Sequence, residues 1–127
     1  MIKLTNSEKE VLDTLWKEGE PLTATEIVKK CTEKNWKPSY IHLMVNSLLK
    51  KEMIKVAEFK QTTKNYARAY VPTMTEEEWC ATQLMDSMKK PEDILGVVKE
   101  MLDDINDLEE LDKLQKLIDQ KRNSDYR

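Results

Sequence analysis

A chain of 127 residues, 39% hydrophobic and 35% charged, has room for one domain or for a small domain with a helical appendage. Its composition excludes several classes: no run approaches the apolar length of a membrane span, and no apolar leader follows Met1. Cys31 and Cys80 stand too far apart for a zinc box or a disulfide framework, so a reducing, cytoplasmic setting is expected. The net charge of −3 divides unevenly, with +4 over residues 1–72 and −7 over residues 73–127, which points to an anionic partner for the first part.

Thr5 with Glu8 is a capping box, in which the hydroxyl takes the amide three residues on and the carboxylate reaches back. It opens a helix through about Lys17, with Val11, Leu12, Leu15 and Trp16 as its buried face and Gly19-Glu20-Pro21 as its stop. Thr23 with Glu26 opens a second helix, with Ala24, Ile27, Val28 and Cys31 inward. Asn35-Trp36-Lys37-Pro38 turns the chain into a third helix, where Pro38 suits the first helical position because that amide has no intrahelical partner. Ile41, Met44, Val45, Leu48 and Leu49 then recur at the spacing of one buried face. Ser39, Leu43, Asn46 and Lys50 fall on the opposite stripe, flanked by Tyr40, His42 and Ser47.

After the third helix the apolar period changes from helical to alternating. Residues 53–59 and 66–71 read as two strands, and the polar, basic stretch Lys60–Asn65 reads as the tip of their hairpin. Three short helices followed by a basic-tipped hairpin make a winged helix-turn-helix over residues 1–72. In such a fold the outer stripe of the third helix reaches base edges, while Lys50, Lys51, Lys60, Lys64 and Arg68 are placed for phosphates.

Pro72 ends the hairpin, and a third capping box, Thr75 with Glu78, starts a helix carrying Trp79, Leu84, Met85 and Met88. Lys89-Lys90-Pro91 breaks it. Leu95, Val98, Leu102 and Ile105 follow at helical spacing, and after a break near Asn106-Asp107 so do Leu108, Leu111, Leu114, Leu117 and Ile118. Asp107 with Glu110, or Asn106 with Glu109, is a candidate cap, and residues 123–127 are expected to fray. These stripes follow a domain that closes its own core. They either fold back on it or meet a second copy of the chain, and the second copy is preferred. Residues 73–127 are thus read as a helical dimerisation region, with Trp79, Leu84, Leu95, Val98, Leu102, Ile105, Leu111, Leu114 and Ile118 at the interface.

No catalytic constellation is present. His42 is the only histidine, Gly19 and Gly96 are the only glycines, and the carboxylate runs sit at helix starts or on polar faces. No enzyme activity, cofactor or metal site is expected. The methionines sit at core spacing and read as core filler.

The chain resembles the penicillinase-repressor family over nearly its whole length. The pieces that carry the likeness are Leu4-Thr5-x-x-Glu8-x-x-Val11-Leu12-x-x-Leu15-Trp16, Thr23-x-x-Glu26-Ile27, Trp36-x-Pro38-x-x-Ile41, Leu48-x-Lys50-Lys51, Tyr70-x-Pro72 and Glu109-Glu110-Leu111. Most are core or capping positions. The resemblance implies a homodimeric repressor on a dyad-symmetric operator, with the third helix and wing on DNA and the C-terminal helices as dimer contact. The chain departs from the family's pattern at Tyr40, Leu43 and Ser47, at Glu52 where a turn glycine is usual, and at Asn65-Tyr66 where the wing tip usually carries Gly-Arg. Two control devices of the family are also missing from this sequence. The only phenylalanine, Phe59, follows Glu58 rather than the Asn of the cleavable bond, and the C-terminal helices hold only Cys80 in place of a copper-binding Cys-x-Cys cluster. An unidentified sensor or protease is therefore the further partner this reading leaves open. The rival reading is a winged-helix dimer that bridges proteins without specific DNA binding, favoured by Leu43 on the outer stripe.

Overall fold

The computed structural model describes residues 2–32, 35–90 and 92–125. Its elements are α1 (Asn6–Glu18), β1 (Leu22–Thr23), α2 (Ala24–Lys30), a 3-10 turn (Pro38–Tyr40), α3 (Ile41–Lys50), β2 (Ile54–Gln61), β3 (Tyr66–Pro72), α4 (Glu76–Ser87), α5 (Asp93–Asp103) and α6 (Leu108–Asp125). They form two compact units, Met1–Leu84 and Met85–Arg127.

The first unit is a winged helix, and its helix starts follow from the capping boxes. In α1 the Glu8 amide donates to Thr5 Oγ1 at 3.1 Å while the Thr5 amide donates to Glu8 Oε1 at 2.8 Å. Thr23 and Glu26 make the same exchange in α2, and Thr75 and Glu78 make it ahead of α4. Gly19 ends α1 in the left-handed conformation at φ 67°, the backbone region glycine enters without a Cβ penalty. Val11, Leu12, Leu15, Leu22, Ile27, Ile41, Val45, Leu48, Met53 and Ile54 form the core, with Tyr70 and Trp79 closing it. Two indoles lock the connections onto α1. Trp36 Nε1 donates to Glu10 Oε2 at 2.8 Å, and Trp16 Nε1 donates to the Met74 carbonyl at 2.9 Å.

Four features differ from the sequence reading. The sheet has three strands in the order β1-β3-β2, because Leu22 and Thr23 pair with Tyr70 and Ala69. The third helix opens as a 3-10 turn over Pro38–Tyr40 before the α-helix proper begins at Ile41. The first hairpin strand runs further than expected, to Gln61, while the second begins at Tyr66 as expected, so Lys60 belongs to β2 and the turn shrinks to four residues. There the Thr62 hydroxyl donates to the Asn65 carbonyl at 2.7 Å and accepts from the Asn65 amide at 3.1 Å. Finally, α6 stays helical through Asp125, where fraying was expected from residue 123.

Glu52 terminates α3 at φ 59°, the one non-glycine positive φ among the described residues. Its amide donates to the Leu49 carbonyl at 3.0 Å and the Met53 amide donates to that of Leu48 at 2.9 Å. This is a Schellman closure, a geometry that favours glycine.

In the second unit, Asp107 caps α6 by accepting from the Glu109 amide at 2.9 Å. No described residue of this unit is buried. Pro91, expected to break the chain ahead of α5, lies outside the described residues.

Candidate nucleic-acid interface

The amphipathic division of α3 sets the geometry. Ile41, Met44, Val45 and Leu48 are buried, so the opposite face turns to solvent: Ser39, Tyr40, His42, Leu43, Asn46 and Lys50 are all exposed, Leu43 at 67%. None of these six identities is needed by the core.

Ser47 and Lys51 are placed differently from the expectation that they face outward. Both are half-buried and both serve Glu8. The Ser47 hydroxyl donates to Glu8 Oε2 at 2.6 Å, and Lys51 Nζ donates to Glu8 Oε1 at 2.7 Å and to the Lys3 carbonyl at 2.8 Å. Ser47 is on the helix flank nearest α1, and a hydroxyl there serves the buried carboxylate better than it serves solvent. Glu8 is only 3% exposed. Burial pushes its pKa up, but Lys51, Ser47 and the Thr5 amide and hydroxyl outweigh burial and hold it down at about 2.

The wing is shaped by an irregularity in β2. Val56 pairs with Tyr70 but Glu58 pairs with Ala69, so Ala57 is an extra residue, a β-bulge. Beyond it Phe59 lies opposite Arg68, Lys60 opposite Ala67 and Gln61 opposite Tyr66. Cross-strand partners share a face, so Phe59, Gln61, Tyr66 and Arg68 occupy one side and Lys60 the other. Without the bulge Lys60 would face the same way as Tyr66 and Arg68. Instead its side chain crosses β3 to donate to the Pro21 carbonyl at 2.7 Å and to Glu26 Oε1 at 3.0 Å. The Thr23 amide first, and then Lys60, hold the Glu26 carboxyl below its ordinary range against the opposing effect of burial. Lys64 and Arg68 are exposed and make no ion pair among the described residues.

Residues 4–120 of the sequence match the penicillinase repressor family. The chain belongs to that family. It is accordingly a DNA-binding transcriptional regulator and not an enzyme. No curated protein sequence matches the chain closely enough to count as a relative. Among solved structures, the adhesin competence repressor AdcR from Streptococcus pyogenes is similar at a TM-score of 0.45 and 18% identity, over 97% of this chain and 81% of that one. ZitR from Lactococcus lactis, a zinc-responsive MarR family member, is similar at a TM-score of 0.45 and 20% identity, over 97% of this chain and 74% of that one. Likeness at that level leaves the role of each residue to this chain's own geometry.

Of the residues read as dimer contacts in this penicillinase-repressor member, Trp79 is buried at 7% exposure in the core of the first unit. Leu84 is exposed at that unit's end. Leu95, Val98, Leu102 and Ile118 are exposed in the second unit, Leu95 at 79%, and Ile105, Leu111 and Leu114 are half-buried. Among the described residues no group of His, Cys, Asp and Glu is arranged to hold a metal ion, and no helix is long and apolar enough to cross a membrane. The second roles of Glu8 and Glu26 leave no sign in the sequence. A capping-box glutamate looks the same in sequence whether or not a distant lysine reaches it.

Proposed function

We propose that this regulator is a sequence-specific repressor acting as a cytoplasmic homodimer on a dyad-symmetric operator. In this reading α3 enters the major groove, the wing lies on the flanking backbone and the second unit joins two copies. The observation that carries it is the exposed stripe Tyr40, His42, Leu43 and Asn46, on a helix whose other face is locked into the core. Asn46 can pair bidentately with adenine and Leu43 can pack on a thymine methyl, and Lys50 is placed for phosphate. Dimerisation is supported by the second unit, in which an open apolar groove of about 550 Å³ along α5 is lined by Leu95, Val98 and Leu102.

Selection of operator sites from a random duplex pool, followed by competition binding, tests the reading. A dyad-symmetric site should be enriched, and Asn46→Ala should cost about 1–3 kcal/mol on it and little on random DNA. The thermal midpoint should stay put, because the residue is exposed. A pool that yields no dyad-symmetric site, together with sequence-blind binding, would sink it in favour of a protein-bridging dimer centred on Leu43.

A further inference from the structure

The wing carries two large aromatic side chains that the core does not use. Phe59 is 65% exposed and Tyr66 63% exposed, on one face of the hairpin with Arg68 directly across from Phe59 and Gln61 across from Tyr66. Exposed aromatics paired on one hairpin face differ from scattered surface apolar residues, which need no explanation. The charge of this face is one-sided. It has Arg68 on it and Lys64 at the adjoining turn, both without an ion-pair partner among the described residues, and no carboxylate. The nearest acidic side chain along β2, Glu58, pairs opposite Ala69 and so lies on the other face. The bulge at Ala57 creates this separation, because it brings Phe59 to Arg68 and sends Lys60 away to Glu26. A cationic, carboxylate-free face bearing two rings fits a polyanion that also offers apolar surface. The sugar-phosphate edge of a DNA duplex is such a partner.

We propose that Phe59 and Tyr66 form a non-ionic contact with the deoxyribose edge of duplex DNA, packing on sugars on either side of the phosphate that Arg68 neutralises. This rests on the DNA-binding reading above and adds to it a wing whose grip depends on rings as well as charge. Ring-to-sugar packing releases no counterion, so it adds affinity that salt does not remove, whereas the Arg68 contact is salt-dependent. Sugars are alike at every base pair, so the contact strengthens binding without reading sequence.

The experiment measures the affinity of the full chain for a selected operator and for a random duplex across a salt series, comparing wild type, Phe59→Ala/Tyr66→Ala, Arg68→Ala and Asn46→Ala. The double aromatic variant should bind both duplexes about tenfold more weakly, with the slope of log K against log salt unchanged. Arg68→Ala should reduce that slope by about one. Thermal midpoints of the variants are measured alongside, so that loss of folding is told apart from loss of contact. Wild-type affinity in the folded aromatic variant overturns the proposal, as does a loss confined to the operator, which would make the rings readers of sequence. If Asn46→Ala still shows an operator-specific loss in those cases, DNA reading by α3 stands and only the wing contact falls. Capture of a protein by this face, with DNA affinity unaltered, also overturns it.

Discussion

Replacing Glu8 by Gln keeps the shape and the capping acceptor of α1 but removes the charge that Lys51 and Ser47 hold. The carboxyl falls from 4.5 to about 2 on folding, and such a difference corresponds to about 3 kcal/mol in favour of the ionised form. The sign follows from the folded pKa being the lower one. The contribution is complete above pH 4.5, where the unfolded chain is ionised too, and is lost as the pH falls toward 2. Lys51 is a third exposed and can swing to water when the charge is gone, which reduces the cost. Glu8→Gln should therefore destabilise by about 1–3 kcal/mol at pH 7. Urea unfolding at a series of pH values between 7 and 2.5 measures this directly. Wild type and variant should differ most above pH 4.5 and converge in the acid range. Parallel curves over the whole range would refute the reasoning, because they would mean that Glu8 acts through its cap alone.

Three further outcomes follow from the geometry. Glu52→Gly should raise stability by about 1 kcal/mol in chemical denaturation, since it relieves a side chain held at positive φ. Lys64→Ala and Arg68→Ala should each lower the salt slope of DNA binding by about one, while Lys60→Ala should lower it little, because Lys60 is engaged with Glu26 and Pro21. Sedimentation should show the full chain as a dimer and a 1–84 fragment, cut after Trp79 so that the core stays closed, as a monomer; Leu102→Ala should shift the full chain toward monomer, and a full-length monomer at tens of micromolar would remove the dimer reading.

The parts that sequence patterns disclosed are those governed by neighbours within one helical turn or one strand pair. Three capping boxes, the buried stripes of α1 and α3 and the hairpin all belong there. What stayed hidden depends on distant partners or on a residue without a signature. Leu22 and Thr23 are too short a strand to show alternation and are recruited only by the edge of β3. The bulge falls at Ala57, where neither glycine nor proline marks it, yet that one residue reverses the facing of everything beyond. Ser47 and Lys60 find carboxylates 39 and 34 residues away, so their polar character alone suggested solvent or phosphate. Trp79 is the one buried residue of α4, where Leu84 and Met85 are exposed, and only the folded core shows that it belongs to the first unit.

Glu8 and Glu26 give the wing and α3 a common logic. Each is the N3 residue of a capping box, so its backbone and side-chain position is set within its own helix. Each then holds a lysine from an element that follows: Glu8 takes Lys51 at the end of α3, and Glu26 takes Lys60 in the wing. The two pairs differ in burial, and that difference sets their weight. Glu8 is nearly sealed and its pair fixes the end of α3 against α1, so its loss should disturb the angle at which the outer stripe is presented. Glu26 and Lys60 remain open to water, so their pair contributes little energy; its effect is to hold a cation on the far side of the wing and leave the aromatic face with Arg68 and Lys64 alone. On the proposed reading, the cationic surface that meets DNA is therefore smaller than the lysine count of the first unit implies. Lys50, Lys64 and Arg68 make no ion pair among the described residues, and in a dimer they would set a modest salt dependence, which leaves more of the affinity to contacts that salt does not weaken.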